Sequence, residues 1–131
     1  MKKIYNNIIP LKGYKAITLW PWVFIRKSAM YDDITDRHEE IHGEQQEEML
    51  AVGAVASAWL LAIGCGWWSF ITLPVFLYWY GIEWLIKLCY YRNSITAYKN
   101  ISFEREAYAH QNDISYLDDR KLFAWMRFIK I

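Results

Sequence analysis

The hydrophobic pattern of this chain is dominated by a long uncharged segment in its middle. No charged residue occurs between Glu48 and Glu83, and Gly64 and Gly66 interrupt the segment near its centre. A membrane-spanning helix needs about 20 mostly apolar residues, so the segment is too long for one straight span. Because glycines favour a turn, the pattern predicts an apolar helical hairpin with arms at residues 49–63 and 67–90.

Aromatic residues concentrate at the two ends of the second arm. Two tryptophans follow the turn, and tyrosines and tryptophans cluster again further along: Trp67, Trp68, Tyr78, Trp79, Tyr80, Trp84, Tyr90 and Tyr91. Such rings favour membrane interfaces. The pattern therefore favours a hairpin in a lipid bilayer, and the alternative is a hairpin buried in the core of a homo-oligomer. Glu83 and Lys87 have the spacing of a pair on one helix face.

Lys and Arg residues lie before and after the uncharged segment, and the turn at its centre has none. By the positive-inside tendency, both termini and the polar regions are expected on the cytoplasmic side. The charge pattern thus predicts a protein of a cytoplasmic or inner membrane.

The region before residue 32 is predicted to contain β strands. Residues 16–26 are rich in β-branched and aromatic side chains. Pro21 excludes an uninterrupted central strand, so we expect a small N-terminal β-hairpin of residues 16–20 and 22–26, with an edge or a bend at the proline. An edge strand there could bind an extended peptide by strand addition, or it could only cover a neighbouring helix.

Composition limits the class of protein. A chain of 131 residues is expected to form a single domain, divided into an N-terminal β segment (1–31), a polar helix (32–48), the apolar hairpin (49–90) and a C-terminal region (91–131). The net charge of +1 and the lack of a basic stripe give no basis for nucleic-acid binding.

Cys65 and Cys89 fall inside apolar stretches and are expected to be buried free thiols. The predicted fold class is mainly α (α+β).

The polar helix carries the chemistry. His38-Glu39-x-x-His42 has the H-E-x-x-H spacing. Positions i and i+4 share one helix face, so His38 and His42 can direct a ring nitrogen at one zinc ion, with Glu39 as general base beside the open coordination position. The alternative is a solvated helix face that carries two histidines. A helix start at Asp32 or Asp33 would leave Glu39 free for chemistry.

A catalytic zinc site needs a third protein ligand and an open position. The remaining candidates after the hairpin are one histidine and several acidic residues: Glu104, Glu106, His110, Asp113, Asp118 and Asp119. Residues 102–111 are predicted to form a helix with Ser102 as its cap. Because the hairpin brings this helix back beside the first, Glu104 or Glu106 is a reachable ligand.

These features together resemble a known group of enzymes. His38-Glu39-x-x-His42, the apolar hairpin and Glu104-x-x-Ala107 are similar to the gluzincin zinc metallopeptidases, in particular the HtpX-like and CAAX-prenyl-protease-like membrane peptidases and the small minigluzincins. The resemblance covers about residues 33–110. It implies a zincin-like helical core, one zinc ion held by His38, His42 and Glu104, and Glu39 as the catalytic base. Ala107 would let the two helices approach.

The chain departs from that family at one position. Its members usually place Asp directly after the Ala, and this chain has Tyr108. A carboxylate that orients a histidine ligand must then come from elsewhere, for which Asp113 is the candidate. Tyr108 or His110 could donate to a developing oxyanion, and the alternative for both is packing.

The resemblance implies a membrane-associated zinc metallopeptidase that acts on a peptide or protein substrate. A non-catalytic zinc-binding membrane or interaction module and a metal-free membrane scaffold are the alternatives. The C-terminal tail is predicted to turn around Asp118, Asp119 and Arg120 and to continue as a short amphipathic helix. That helix would lie on an anionic membrane surface or against the body of the domain.

Overall fold

The computed structural model describes residues 1–130 and is mainly helical, with a three-stranded sheet at the N-terminus. Strands β1 (Lys2–Asn6), β2 (Ala16–Leu19) and β3 (Trp22–Arg26) lie in the order β1-β3-β2. The predicted strand pair is confirmed, since β2 and β3 are antiparallel. Strand β1 adds to it in parallel, and its Lys-Lys-Ile-Tyr-Asn sequence has too little apolar alternation to be recognised. This order leaves β2 at one edge of the sheet.

Helix α1 (Asp33–Ala62) is continuous from before His38 to the end of the first hairpin arm. It begins where the sequence predicts, because Asp32 caps it and accepts a hydrogen bond of 2.8 Å from the backbone N–H of Thr35. The predicted polar helix and the first apolar arm are therefore one continuous helix. The two histidines of the H-E-x-x-H motif and the first arm of the hairpin belong to this same element.

The second arm differs from the prediction. A 3₁₀ helix (Gly66–Thr72) is followed by α2 (Val75–Tyr91), and the two are bent by 53°. The break lies at Pro74, which has φ -83° and ψ 35° and lacks the backbone N–H that would continue the helical hydrogen bonds. No single helix within residues 1–130 is both long enough and apolar enough to cross a membrane. By length and composition, only this bent pair meets the requirement among those residues.

The hairpin closes at a glycine contact. A Cβ atom built on Gly53 would lie 2.3 Å from the carbonyl oxygen of Thr72, so the 3₁₀ helix can approach α1 only at a glycine. The Thr72 hydroxyl donates to the carbonyl of Gly53 at 2.9 Å. This close approach brings the second arm back along the first.

The C-terminal region packs on the body as short elements: α3 (Ser94–Lys99), α4 (Ser102–His110), α5 (Tyr116–Asp119) and a second 3₁₀ helix (Ala124–Phe128). A core of Met49, Ile101, Phe103 and Trp125 joins them to α1. In the tail, α5 and the second 3₁₀ helix take the place of the predicted turn and amphipathic helix. Trp125 of that 3₁₀ helix is buried against Phe103, with ring centroids 4.6 Å apart. Packing against the body, one of the two alternatives for the tail, is what is observed.

The outer surface of the hairpin is apolar. Trp67 and Trp68 at its tip expose 89% and 78% of their surface. Further apolar residues are exposed along both arms: Val52, Val55, Trp59, Ile71, Leu77, Ile82, Leu85 and Ile86. The expectation of buried thiols is wrong, since Cys65 and Cys89 are free and exposed. The apolar residues around the two cysteines face outward instead of forming a core.

Candidate metal centre

Three buried side chains converge where α4 crosses α1. They are His38 and His42 from α1 and Glu104 from α4. Nε2 of His42 lies 3.1 Å from Nε2 of His38 and 3.3 Å from Oε1 of Glu104, while Nε2 of His38 lies 3.4 Å from Oε2 of Glu104. Tetrahedral zinc with bonds of about 2.0–2.2 Å places its ligand atoms about 3.3–3.6 Å apart. The two histidine–carboxylate separations, one to each oxygen of Glu104, lie in this range, and the two imidazole nitrogens lie slightly closer together. The three residues could therefore hold one metal ion.

Hydrogen bonds on the far side of each imidazole set its orientation. Nδ1 of His42 lies 2.8 Å from Oε1 of Gln45, and Nδ1 of His38 lies 3.1 Å from Oε1 of Gln111. An amide oxygen can only accept, so each Nδ1 donates its proton, and in the neutral form of each imidazole Nε2 presents a lone pair to the centre. Oε2 of Glu104 is buried without a hydrogen-bond partner. Lone pairs that converge on a buried point in this way suit a bound cation such as Zn²⁺.

The electrostatics of the centre follow from the same contacts. Burial alone would lower the pKa of His42, but the adjacent Glu104 carboxylate outweighs it and raises that pKa to about 9. Burial likewise opposes ionisation of Glu104, yet the two histidines hold the pKa of its carboxyl group well below the usual range. A proton on His42 therefore competes with any metal ion for the same position.

A buried network fixes the orientation of the Gln45 amide. Its Nε2 donates to Oε2 of Glu106 at 2.9 Å and to the carbonyl oxygen of Phe103 at 3.1 Å, which turns Oε1 towards His42. Glu106 is fully buried and accepts from Arg120 Nε at 2.6 Å. Glu106, the alternative third ligand, is thus occupied by Arg120 and Gln45, and it supports the metal centre through the amide.

The predicted orienting carboxylate is replaced by two amides. Gln45 lies three residues after His42 on α1, and this local spacing is a signal from which it could have been recognised. Gln111 is distant in sequence and follows the end of α4. Its backbone carbonyl accepts from Nε of Arg37 at 2.8 Å, which holds it beside His38. No local pattern reveals the role of Gln111.

Glu39 is buried at the edge of the same centre, and β2 positions it. The hydroxyl of Thr18 donates to Oε2 of Glu39 at 2.7 Å and lies 3.1 Å from the backbone carbonyl of Glu39. Glu39, His42 and Glu104 all line a cleft of about 410 Å³. The candidate base and two of the three candidate ligands therefore face one space that a small molecule or a peptide side chain can enter.

Two tyrosines border this cleft beside Glu104, and their sequence positions do not reveal this location. Tyr80 from α2 donates to Oε1 of Glu104 at 3.0 Å. Tyr98 lines the cleft, and burial together with the charge on Glu104 raises the pKa of its phenol. In a chain with ten Tyr residues, nothing in the local pattern distinguishes these two.

The three further candidates occupy other positions. The ring of Tyr108 packs edge-on against His38, with ring centroids 4.7 Å apart. Tyr108 does not line the cleft. His110 stacks on Tyr116 at 3.7 Å. Asp113 accepts from the backbone N–H and the hydroxyl of Ser115 at 3.0 and 2.9 Å. His110 and Asp113 therefore make contacts other than those predicted for them.

No protein-family model, curated protein or solved structure matches this chain. Its function is therefore inferred from the geometry of the metal centre and the cleft.

Proposed function

We propose that the protein is a membrane-associated zinc-dependent metallopeptidase of the gluzincin type. The observation that carries the proposal is that Glu39 faces the same cleft as His42 and Glu104, beside a group of three buried ligands with separations suited to zinc. A structural zinc site is usually closed by a fourth protein ligand. Here three ligands leave one position for a reactant, as a catalytic site requires.

Zinc bound by His38, His42 and Glu104 would polarise a scissile carbonyl and lower the pKa of an attacking water. Glu39 would accept the proton of that water and pass it to the leaving amine. Thr18 occupies Oε2 of Glu39, and no residue among 1–130 donates a hydrogen bond to Oε1. That oxygen is the one available to receive the proton.

The cleft suits a peptide with apolar side chains. Its wall includes Ile17, Leu19, Phe76, Leu77 and Trp84, and the edge strand β2 forms one side. An extended peptide beside an edge strand gains main-chain hydrogen bonds, and its alternate side chains enter pockets. This arrangement supports a peptide or protein as the substrate.

The exposed apolar surface of the hairpin supports association with a lipid bilayer. An apolar patch of this extent on a single protein marks a membrane or protein interface. Lys and Arg residues on both sides of the uncharged segment favour a cytoplasmic location for the metal centre. A homo-oligomer that buries the same surface is the alternative arrangement.

The substitution Glu39→Gln tests the proposal. We expect the variant to retain zinc and thermal stability and to lose peptide hydrolysis by a factor of about 10²–10⁴, the usual contribution of a general base. Hydrolysis would be followed by mass spectrometry on a mixture of apolar peptides with detergent-purified protein. Glu40→Gln, at the neighbouring position of α1, is the matched control. Unchanged cleavage by Glu39→Gln would exclude this mechanism.

One observation favours a second candidate, a non-catalytic zinc-binding membrane or interaction module. Both histidines are oriented by neutral amides, whereas carboxylate partners raise the basicity of a zinc ligand. That candidate predicts stoichiometric zinc in purified wild-type protein without hydrolysis of any peptide. A metal-free scaffold predicts substoichiometric zinc by elemental analysis even after expression in zinc-rich medium.

A further inference from the structure

The edge strand beside the metal centre is partly closed by a side chain of α1. Nε2 of Gln46 donates to the carbonyl oxygen of Thr18 at 2.7 Å, and Oε1 of Gln46 accepts from the backbone N–H of Trp20 at 2.8 Å. The two polar atoms of one amide are thus bonded to the backbone of β2 and of Trp20, the residue that follows the strand. Gln46 lies four residues after His42, on the same face of the helix, and lines the cleft.

The backbone groups that Gln46 binds are those that an incoming strand would use. The N–H of Arg26 donates to the carbonyl of Lys15 at 3.0 Å, so the peptide groups of Lys15 face β3. Because these directions alternate along a strand, the groups of Ala16, Thr18 and Trp20 face the open edge. Gln46 therefore occupies the outer edge at its C-terminal end, and the groups of Ala16 and the N–H of Thr18 remain.

We propose that Gln46 determines substrate length by ending the peptide ladder on β2 at Thr18. An extended peptide can pair with Ala16 and with the N–H of Thr18, whose side chain holds Glu39. Beyond that point a longer peptide meets the Gln46 amide and has no free backbone partner. The cleft then favours short apolar segments or chain ends over long extended chains. This inference rests on the proposed peptidase function and specifies its substrate class.

Binding to a catalytically blocked protein separates the inference from the function on which it rests. The parent is the zinc-loaded Glu39→Gln variant. The probes are two pools of end-blocked peptides with alternating Leu or Phe, which differ in length by about four residues, or ~13 Å of extended chain. Affinities for both pools would be measured by calorimetry in detergent for the parent and for added Gln46→Ala.

We expect the parent to bind the long pool no more tightly than the short pool. Gln46→Ala frees two backbone groups for pairing, so it should strengthen binding of the long pool by roughly tenfold and leave the short pool unchanged. Glu44→Ala, at an exposed position of the same helix, is the matched control and should leave the ratio of the two affinities as in the parent.

If Gln46 only tethers β2 to α1, its loss would lower the melting temperature and weaken both pools equally, which would overturn the inference. Gln46→Met guards against an unfolded alanine variant, because it keeps volume and helix propensity but cannot bond the strand. If Gln46→Met raises the affinity for the long pool relative to the short pool, compared with the parent, the inference is supported. If this ratio of affinities is unchanged in folded Gln46→Met protein, the inference is overturned. If neither pool binds the parent, both the length rule and the peptidase function are overturned.

Discussion

The side-chain oxygen of Gln45 lies 2.8 Å from Nδ1 of His42, and the same amide donates to the buried carboxylate of Glu106. The Glu106 contact prevents the amide from rotating, so the Gln45 oxygen stays towards the imidazole. His42 is thereby held with its Nε2 directed at Glu104 and His38. A neutral side chain does here what a carboxylate does in many zinc sites.

The substitution Gln45→Met should weaken zinc binding by about 10–100-fold, the usual effect of removing a residue that orients a ligand. It should also lower stability, because Glu106 and the Phe103 carbonyl lose a donor and each unsatisfied group costs about 1–3 kcal/mol. Zinc affinity would be measured by competition with a chromophoric chelator, with Glu44→Ala as the exposed control. Unaltered affinity in folded Gln45→Met protein would contradict the orienting role.

Glu104 and Glu106 should behave differently when each is replaced. Glu104→Ala removes a ligand and should abolish stoichiometric zinc. Glu106→Ala leaves Arg120 paired with Glu48 but removes the acceptor of Gln45, Tyr116 and Arg120, and each unsatisfied buried group costs about 1–3 kcal/mol. It should therefore destabilise the fold while zinc still binds at saturating concentration. Elemental analysis and chemical denaturation distinguish the two effects. Zinc retained by Glu104→Ala and lost from Glu106→Ala would identify Glu106 as the ligand.

The start of α4 is held by a carboxylate from α2. Oε1 of Glu83 accepts from the backbone N–H of Ser102 at 2.9 Å and from Lys87 at 2.6 Å, and Oε2 accepts from the Ser102 hydroxyl at 2.6 Å. The expected capping role of Ser102 is therefore wrong, because its own hydroxyl binds Glu83 and the helix has no side-chain cap from the chain before it. Glu83 positions the turn that carries Glu104.

Glu83→Ala should destabilise the protein by about 3–5 kcal/mol, because it leaves the Lys87 ammonium buried without a charge partner. It should also weaken zinc binding, since the turn with Glu104 loses its anchor. Denaturation in detergent and chelator competition measure the two effects. In the double variant Glu83→Leu with Lys87→Met we expect stability to recover without zinc affinity. Full recovery of both would show that Glu83 has no role in placing Glu104.

Zinc affinity should rise with pH well beyond the ordinary range of histidine. Because the pKa of His42 is raised from 6.5 to about 9, one proton must leave for each zinc bound, and affinity should increase about tenfold per pH unit up to that value. In metal-stripped protein the His42–Glu104 ion pair stabilises the fold fully below pH 6.5 and progressively less as the pH rises towards 9.

At acid pH the same ion pair is limited by Glu104. Because the pKa of the Glu104 carboxyl group is lowered from 4.5, the stabilisation by the pair is fully present above pH 4.5 and is lost as the pH falls further. Chelator competition and thermal denaturation between mildly acidic and alkaline pH test these expectations. An affinity that reaches its plateau near pH 6.5 would show that Glu104 does not raise the pKa of His42.

Local periodicity alone predicts part of this centre. His38, Glu39 and His42 lie within two turns of one helix, so their relative placement follows from helix geometry once the helix forms. The start of α1 at Asp32 and the β2–β3 pair likewise depend on neighbours in sequence. The H-E-x-x-H spacing and the Glu104-x-x-Ala107 sequence together also indicated the three side chains that the structure brings into one group.

Tertiary packing decided the rest. Thr18, Tyr80 and Gln111 reach the centre from three other parts of the chain, and no sequence pattern shows that they meet there. Glu106 is turned into the body, towards Arg120, by the way α4 docks on α1. Which residue types share a helix face follows from their spacing along the chain, because that depends on a repeat of 3.6 residues. Which of their lone pairs are free depends on contacts between segments distant along the chain, and only the folded structure contains those.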